Sequence, residues 1–290
     1  MIVITGASGQ LGRQVVAALL EHLPADEIVA AVRNPDRVAD LVGRGIRVRQ
    51  ADYDRPDTLA GAFAGADKLL LISSSEIGRR IEQHRAAIHA AARAGVGLLA
   101  YTSILHADVS PLPLAAEHRE TENLIRAAGV PAVLLRNGWY TENYLMALPA
   151  ALQHGVVLGC AGAGRISSAA RADYAAAAAA VLTRGDQAGR VYELAGDDAY
   201  TLEAFAQEIA RLSGKPVAYR DLPAPAYASA LVDAGLPESL ATLLAESDAG
   251  ASQGGLFDAS RQLSALIGRP TTPLAAMLKA ALRQDGPLTP

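Results

Sequence analysis

The sequence predicts an α/β protein in which a doubly wound parallel sheet is followed by a smaller, mostly helical lobe. Short apolar segments alternate with helical patterns through the first 136 residues, which is the order that parallel strands joined by crossover helices require. Runs such as IVAAV and LLLI are apolar at every position, as expected for strands covered on both faces. Aromatic residues make up only 4% of the chain and alanine is frequent, which favours closely packed helices on a sheet.

Six strands are expected in the first half of the chain, with helices between them. The expected strands are residues 1–5, 27–32, 46–50, 68–72, 98–102 and 132–136. The expected helices are residues 10–21, 36–42, one beginning near 56, 78–93 and 117–128. Right-handed crossovers place the carboxyl ends of such strands, and therefore the ligand crevice, along one edge of the sheet.

The pattern changes after about residue 150, where glycines cluster and strands no longer alternate with helices. A helix over 172–182 and a strand over 191–194 are expected, and Thr201 is expected to cap the start of a further helix. The stretch DAGASQGG (248–255) has the composition of coil. We therefore predict a sheet domain over residues 1–150, to which about 165–195 returns, and a smaller lobe over 151–290.

Composition excludes several functional classes. The formal net charge is −4 and no long block of Lys and Arg is present, so general binding to nucleic acid or to an anionic membrane is not expected. A single cysteine, Cys160, excludes an internal disulfide and a zinc site built from cysteines; we expect a small buried side chain there and no metal centre. No segment is apolar over the length of a bilayer, and the chain begins directly with a strand, so a cytoplasmic protein is expected. Alanine-rich helix faces fit either internal packing or a homo-oligomer.

The segment ITGASGQLGR, residues 4–13, carries a glycine at every third position. It lies where the first expected strand ends and the first expected helix begins, which is the context that a dinucleotide-binding loop requires. Gly6 allows a sharp turn, Gly9 lets backbone N–H groups approach a pyrophosphate at the helix amino terminus, and Gly12 lets the helix pack closely on the strand. The alternative is an ordinary strand-to-helix turn.

The residue after the second strand indicates which dinucleotide is bound. Proteins that select NAD place Asp or Glu there, where the carboxylate accepts hydrogen bonds from the ribose 2′-hydroxyl. This chain has Arg33 in the segment VAAVRNPDR, and a guanidinium binds a 2′-phosphate through charge-assisted hydrogen bonds. The sequence therefore predicts NADPH as the cofactor, with a solvated surface arginine as the alternative.

Polar residues also follow the next two strands. Asp52 and Tyr53 come after the third strand and are expected to flank the adenine. Ser73, Ser74 and Ser75 come after the fourth, where short side chains allow close approach of the nicotinamide half. Each of these residues alone also fits a plain polar loop, but together they line one edge of the predicted sheet.

The catalytic pair of short-chain dehydrogenases is missing after the fifth strand. That strand ends in Thr102 and Ser103, but the following segment PLPLAAEHRETENLIRAAG contains neither Tyr nor Lys, so the usual Tyr–Lys proton relay is absent. If this segment is aligned with the short-chain dehydrogenase pattern at Glu122, Leu114 and His118 occupy the positions of the Tyr and the Lys. His118 is a candidate to bind the nicotinamide ribose or to deliver a proton, since imidazole titrates near neutral pH; a surface histidine without a role is the alternative.

Several segments together resemble the type 2 NADPH-dependent quinone oxidoreductases, which are NmrA-like, atypical short-chain dehydrogenases. These segments are GASGQLG, VRNP, QADY, KLLLISSSE, AYTSILHAD, LLRNGWYTENY (134–144), SAARADYAAAAA, VYELAGD and GGLFDASRQLSALIGRPTT. The resemblance covers nearly the whole chain, and RNGWYTENY is far more specific than the glycine loop.

The resemblance implies a Rossmann-type NADPH domain and a small carboxyl-terminal substrate domain. The implied cofactor contacts are the glycine loop (Gly6, Ala7, Ser8, Gly9, Gln10, Leu11, with Gly12 behind it), Arg33, Ser73, Ser74, Ser75, and a loop at the nicotinamide end (Asn137, Gly138, Trp139, Tyr140, Thr141, Glu142). In that loop Trp139, Tyr140 and Tyr144 offer flat surfaces for an aromatic substrate and Asn143 offers a hydrogen-bond donor; Trp139 and Tyr144 fit a packing role equally well.

The implied activity is two-electron reduction of quinones by direct hydride transfer from NADPH, without flavin. Tyr140, His118 or solvent would provide the proton, and the sequence does not choose among them. One alternative is reduction of triarylmethane or azo dyes on the same scaffold. Another is an NmrA-type redox sensor that binds the dinucleotide without catalysis, which the missing Tyr and Lys favour and the aromatic loop disfavours.

Overall fold

The computed structural model describes residues 1–284 of the 290-residue chain and divides it into two compact units. The first unit comprises Met1–Ala107, Ala116–Asn137 and Arg171–Leu194. The second comprises Asp108–Ala115, Gly138–Ala170 and the described residues from Ala195 to Gln284. The chain therefore passes repeatedly from one unit to the other.

A seven-stranded, parallel sheet forms the centre of the first unit. Its strands, numbered along the whole chain, are β1 (Ile2–Thr5), β2 (Ile28–Val32), β3 (Arg47–Gln50), β4 (Lys68–Leu71), β5 (Leu98–Ile104), β6 (Ala132–Asn137) and β8 (Val191–Leu194). Their order is β3-β2-β1-β4-β5-β6-β8, so the chain winds outward in both directions from β1. This order confirms the predicted doubly wound sheet, whose ligand crevice is expected at the carboxyl ends of the strands.

Helices cover both faces of this sheet. They are α1 (Gln10–Leu19), α2 (Ala39–Gly43), α3 (Pro56–Phe63), α4 (Arg80–Arg93), α5 (Ala115–Ala128) and α8 (Arg171–Thr183), with short 3₁₀ turns at Ala25–Glu27 and Pro35–Val38. Side chains of α3, α4 and α5, such as Phe63 and Ile88, share one core with Val3 and Leu69 of the sheet. Helices α1 and α8 pack on each other and on the central strands. Because successive strand residues point to opposite faces, this two-sided cover explains why every residue of β1, β2 and β5 is buried.

The second unit is mostly helical, with one short parallel sheet. Its elements are α6 (Thr141–Leu145), α7 (Leu148–His154), β7 (Val156–Gly159), α9 (Leu202–Ser213), β9 (Ala218–Asp221), α10 (Ala224–Asp233), α11 (Glu238–Ser252), α12 (Gln262–Ile267) and α13 (Leu274–Gln284). Strands β7 and β9 pair in parallel, which the sequence did not reveal. The predicted cap of α9 is confirmed, because Thr201 Oγ1 accepts a hydrogen bond from the Ala204 N–H at 3.1 Å.

The expectation of coil over residues 248–255 is wrong for most of its length. Helix α11 continues to Ser252, and a turn follows at residues 253–255, where Gly254 has φ of +84°. A Cβ atom at Gly250 would lie 2.9 Å from the side chain of Leu112, and one at Gly255 would lie 2.4 Å from it. A side chain at either position would therefore require Leu112 to move, and composition alone does not distinguish this close packing from loop propensity.

Cys160 is a buried free thiol, as predicted, and burial raises its pKa to about 12. Within residues 1–284, no helix combines the length and the apolar character needed to cross a membrane. In the same range, no group of three or more His, Cys, Asp and Glu side chains is placed to hold a metal ion.

Candidate active site

The glycine loop joins β1 to α1 at the carboxyl edge of the sheet. The strand ends at Thr5 and the helix begins at Gln10, so residues 6–9 make the whole connection. Gly6 has φ of +59°, in the left-handed region that favours glycine, and the Gly9 N–H donates to the Gly6 carbonyl at 2.9 Å. This tight reversal places the amino terminus of α1 directly behind the end of β1.

Gly12 brings the first turn of α1 against the loop. A Cβ atom at Gly12 would lie 2.3 Å from the Gly6 carbonyl oxygen and 2.7 Å from the Ala7 Cα, and both are backbone atoms. The first turn, QLGR, contains no acidic residue, so the partial positive charge of the helix terminus is not neutralised by its own side chains. Ala7, Leu11 and Gly12 are buried, Ser8 is half-buried, and Gly6, Gly9 and Gln10 are exposed. The arrangement fits a pyrophosphate at this terminus.

Arg33 follows β2 at the same edge of the sheet. Its side chain is 69% exposed, and its Nη1 donates to Glu76 Oε1 at 2.9 Å. Glu76 belongs to the loop after β4, so the ion pair joins segments that follow two different strands. A positive group thus stands where a 2′-phosphate is expected, and it already has a carboxylate partner.

Asp52 and Tyr53 lie at the end of β3, and both are partly buried. The Asp52 carboxylate accepts the Asp54 N–H at 3.1 Å, which stabilises the turn. The Tyr53 hydroxyl reaches across the sheet edge and lies 2.6 Å from Thr5 Oγ1 and 3.3 Å from the Ile72 carbonyl oxygen. Burial raises the Tyr53 pKa, so the phenol stays neutral and links the ends of β1 and β4.

The serine loop after β4 is held by hydrogen bonds to its main chain. The Ser73 N–H donates to Thr102 Oγ1 at 2.8 Å, and the Ser74 N–H donates to His84 Nε2 at 2.9 Å. The Ser74 carbonyl accepts from Arg80 Nε at 2.7 Å, whereas the Ser75 side chain is exposed. These hydrogen bonds fix the backbone of the serine loop at the carboxyl edge of the sheet.

A buried polar network beneath that loop includes Arg80, Glu117 and His84. Arg80 Nη1 donates to Glu117 Oε2 at 2.7 Å, and Glu117 Oε1 accepts the Gly78 N–H at 2.8 Å. Burial, assisted by the Arg80 charge, lowers the pKa of His84 to about 3, so the imidazole is neutral. Because its Nε2 accepts a hydrogen bond, we assign the proton to Nδ1, which lies 3.0 Å from Thr121 Oγ1.

His118 lies on α5 in the same buried region, with 4% of its surface exposed. Its Nδ1 lies 2.7 Å from the hydroxyl of Tyr101. Burial lowers the pKa of His118 well below its usual value, and the positive charge of Arg80 lowers it further. Burial also raises the Tyr101 pKa, so the phenol keeps its proton, and we assign its O–H as the hydrogen-bond donor to Nδ1. His118 is thus a neutral hydrogen-bonding group, and acting as an acid would require a protonation that its surroundings disfavour.

Asn137 is the last residue of β6, and its side-chain oxygen is buried. Its main-chain carbonyl accepts the Leu105 N–H at 2.9 Å, but Oδ1 has no hydrogen bond within residues 1–284. A buried polar atom left without a partner costs about 1–3 kcal/mol. This atom, at the carboxyl edge of the sheet, is the observation that most directly indicates a polar ligand, and the residues present fit the expected dinucleotide.

The rest of the loop, residues 138–144, belongs to the second unit. The Trp139 carbonyl accepts the Ala169 N–H at 3.1 Å, and the Thr141 N–H donates to the Ala169 carbonyl at 2.9 Å, so Tyr140 pairs with Ala169 as a single bridge. The Thr141 hydroxyl is buried 2.8 Å from Ser168 Oγ. Trp139 is buried, and Gly138, Tyr140, Glu142, Asn143 and Tyr144 are partly buried. The loop thus has a defined backbone conformation.

Tyr144 packs within the second unit. Its ring lies 6.4 Å from the ring of Tyr200 and 5.9 Å from that of Phe205, centroid to centroid. Its hydroxyl donates to Asp248 Oδ1 at 3.2 Å, and Asp248 Oδ2 accepts the Cys160 N–H at 3.2 Å. Burial raises the pKa of Asp248 to about 6. The packing role of Tyr144 is therefore present, and its part in substrate binding stays a prediction.

Sequence reasoning overlooked Asp248 and Glu76. Asp248 fell in a stretch taken as coil, although it lies three residues after Ala245 and seven after Ala241, both of which are buried. That helical spacing could have placed it on a buried face. Nothing local in the sequence indicates that Glu76 contacts Arg33, which lies 43 residues away.

Comparison with known proteins places this geometry among dinucleotide-binding proteins. The sequence pattern of the NAD(P)H-binding family matches residues 6–185, which is more than half of the chain. Quinone oxidoreductase 2 of Escherichia coli strain K12 is 57% identical over 275 residues, covering 95% of this chain and 96% of that protein.

Two solved structures are similar over nearly the whole chain. One is the NADPH-dependent quinone oxidoreductase of Escherichia coli complexed with NADPH, with 56% identity, a TM-score of 0.95, and coverage of 97% of this chain and 100% of that one. The other is the triphenylmethane reductase of Citrobacter sp. complexed with NADP(H), with 37% identity, a TM-score of 0.94, and the same coverage.

Proposed function

The chain belongs to the NAD(P)H-binding family, and we propose that it is an NADPH-dependent quinone oxidoreductase that works without flavin. The observation that carries the proposal is the 57% identity to quinone oxidoreductase 2 of Escherichia coli across 95% of the chain. The substrate would be a small quinone, and the protein would act in the cytoplasm.

In this proposal the first unit binds NADPH along the carboxyl edge of the sheet. The amino terminus of α1 holds the pyrophosphate, and Arg33 holds the 2′-phosphate. Asn137 Oδ1 accepts a hydrogen bond from the carboxamide, which would give this buried oxygen the hydrogen-bond donor that it lacks within residues 1–284. Asp52 and Tyr53 flank the adenine, and the serine loop lies along the nicotinamide half. NADPH, when bound, supplies the hydride.

The chain's own residues would position the quinone and control its proton. A quinone is already electrophilic, so loss of the Tyr–Lys pair is tolerable as long as the acceptor is held in place and water is excluded. Tyr140 or solvent is the proposed proton source, because burial keeps the imidazole of His118 neutral. We assign His118 a hydrogen-bonding role instead, and we retain Tyr140, Asn143 and Tyr144 as proposed substrate contacts.

The experiment follows NADPH absorbance with purified, flavin-free protein and a simple benzoquinone, after subtraction of the spontaneous reaction. We expect many turnovers per protein and a preference for NADPH over NADH. In Arg33→Ala the KM for NADPH should rise about 10- to 100-fold, since a charged hydrogen-bond partner of the phosphate is lost. The KM for NADH should change little, because NADH has no 2′-phosphate.

Binding of NADPH without turnover above background would contradict the reductase and support the redox sensor. Reduction of dyes is the second candidate enzyme activity, and the 37% identity to the triphenylmethane reductase favours testing it. A cationic triphenylmethane dye and an azo dye assayed beside the quinone, under identical conditions, would rank the three acceptors by kcat/KM.

A further inference from the structure

Glu76 contacts Arg33 across the end of β1. Arg33 directly follows β2, Glu76 lies in the loop after β4, and these two strands pair with opposite sides of β1. Two strand spacings separate β2 from β4, about 10 Å. The Arg33–Glu76 ion pair, at 2.9 Å, therefore spans the edge at which the glycine loop leaves β1.

Glu76 is the fixed member of this pair. Its Oε2 accepts hydrogen bonds from Gln83 Nε2 at 3.0 Å and Arg79 Nη1 at 3.3 Å. Gln83 and Arg79 each also donate to Asp54 Oδ1, at 3.1 and 2.8 Å. The Glu76 side chain is 32% exposed, whereas that of Arg33 is 69% exposed. Arg33 is thus drawn toward a carboxylate that other residues hold in place.

A carboxylate beside Arg33 weakens it as a receptor for a second anion. It offsets the positive charge of the guanidinium, and it would repel a phosphate bound to the same group. A ribose hydroxyl carries no charge, so the carboxylate affects it little. The guanidinium contacts Glu76 through Nη1 and has further donors, so a phosphate and Glu76 can share Arg33.

We propose that Glu76 is a specificity-determining residue that limits the preference for NADPH over NADH. The inference rests on the proposed function, in which Arg33 meets the 2′-phosphate. The carboxylate holds Arg33 at the sheet edge and at the same time reduces the positive potential there, which narrows the difference in affinity between the two dinucleotides.

The test measures the Kd of NADPH and of NADH by calorimetry for the full-length protein and for Glu76→Gln. Glutamine keeps an oxygen that can accept from Arg33 but removes the negative charge. We expect the Kd of NADPH to fall about three- to tenfold at low ionic strength and the Kd of NADH to stay within about twofold. The gain should shrink at about 0.5 M salt, because exposed charges are then screened.

Glu208→Gln is the matched control, since Glu208 forms an exposed ion pair with Arg211 on α9 of the second unit. It should leave both Kd values unchanged. Weaker NADPH binding in Glu76→Gln would overturn the inference and make Glu76 an aid to phosphate binding; equal changes for both dinucleotides would also overturn it. Failure of the unmodified protein to bind NADPH would overturn the proposed function and this inference together, whereas tight binding with an unchanged ratio overturns the inference alone.

Discussion

Burial shifts the pKa of His118 down and that of Asp248 up, because leaving water disfavours the charged form of either group. His118 consequently stays neutral throughout the physiological range. Asp248 reaches a pKa of about 6, and its negative neighbour Asp221 contributes to the increase. Asp248, unlike His118, therefore changes its charge within that range, at a point where it joins α6 to the end of β7 through Tyr144 and Cys160.

This environment predicts a pH dependence of stability that Asp248→Asn removes. The ordinary pKa of the carboxyl is 3.8, so between about pH 4 and 6 the folded state keeps a proton that the unfolded state has lost. The free energy of unfolding therefore decreases as pH rises through this window, by at most roughly 3 kcal/mol from this group. Urea unfolding at about pH 4.5 and 7.5 should show a smaller decrease in Asp248→Asn than in the unmodified protein.

Asp233→Asn is the control for that measurement, because Asp233 is an exposed residue at the end of α10. The free energy of unfolding of Asp233→Asn should equal that of the unmodified protein at both pH values. Asp248→Asn also alters the hydrogen bonds to Tyr144 and Cys160, so the quantity compared is the change in stability between the two pH values within each protein, and not the absolute stability. Parallel pH profiles for Asp248→Asn and the unmodified protein would contradict the assigned pKa shift.

At the scale of elements, the position of α1 depends on one glycine. The first turn of the helix meets the loop so closely that a Cβ at Gly12 would be 2.3 Å from the Gly6 carbonyl oxygen. A side chain there must push the helix away from the loop, and with it the N–H groups proposed to face the pyrophosphate. The spacing of helix and loop is thus a requirement both for packing and for the proposed binding.

Gly12→Ala should lower the free energy of unfolding by about 1–3 kcal/mol and weaken NADPH and NADH alike. This differs from Arg33→Ala, which should affect NADPH alone. Gly61→Ala is the matched control, because a Cβ at Gly61 in α3 would meet nothing within 4 Å; we expect it to be neutral or to stabilise by about 0.5–1 kcal/mol. Chemical denaturation and calorimetry measure both properties, and unchanged stability in Gly12→Ala would contradict the packing argument.

At the scale of the whole molecule, anion binding does not come from net charge. The chain has a formal charge of −4, so an anionic cofactor gains nothing from general attraction. The proposed binding relies on local features of the first unit, namely the amino terminus of α1 and the guanidinium of Arg33. A dinucleotide that contacts these features binds the folded chain and not the unfolded one.

NADPH should therefore stabilise the protein against heat, by an amount that grows with the logarithm of its concentration above the Kd. At about 100 times its Kd, a ligand of the folded state adds about 2.7 kcal/mol to the free energy of unfolding. Differential scanning fluorimetry should show a larger increase in Tm with NADPH than with equimolar NADH, and in Arg33→Ala the increase with NADPH should no longer exceed that with NADH. Absence of any increase with NADPH would contradict cofactor binding, independently of the quinone assay.

The sequence by itself determined the strand–helix order and the glycine loop, and through Arg33 it predicted the cofactor. These features are local, because each depends on residues only a few positions apart in the chain. They are the spacing of apolar residues, the left-handed glycine at position 6 and the identity of the residue that follows β2. The doubly wound, parallel character of the sheet followed from general rules for crossover connections, whereas the order of its strands came from the structure. The short sheet of β7 and β9 was missed because β9, with the sequence AYRD, has no apolar pattern, and because the apolar VVLG of β7 pairs with it across about 60 residues.

Only the tertiary structure decided which charges meet and which groups lose water. Arg33 and Glu76 are 43 residues apart, and Tyr144 and Asp248 are 104 apart, so no local pattern indicates either contact. The same holds for the neutral state of His118, which depends on burial beside Tyr101 and the charge of Arg80. Charge and pKa depend on the distances between groups that folding brings together, and the chain reveals those distances only once it is folded.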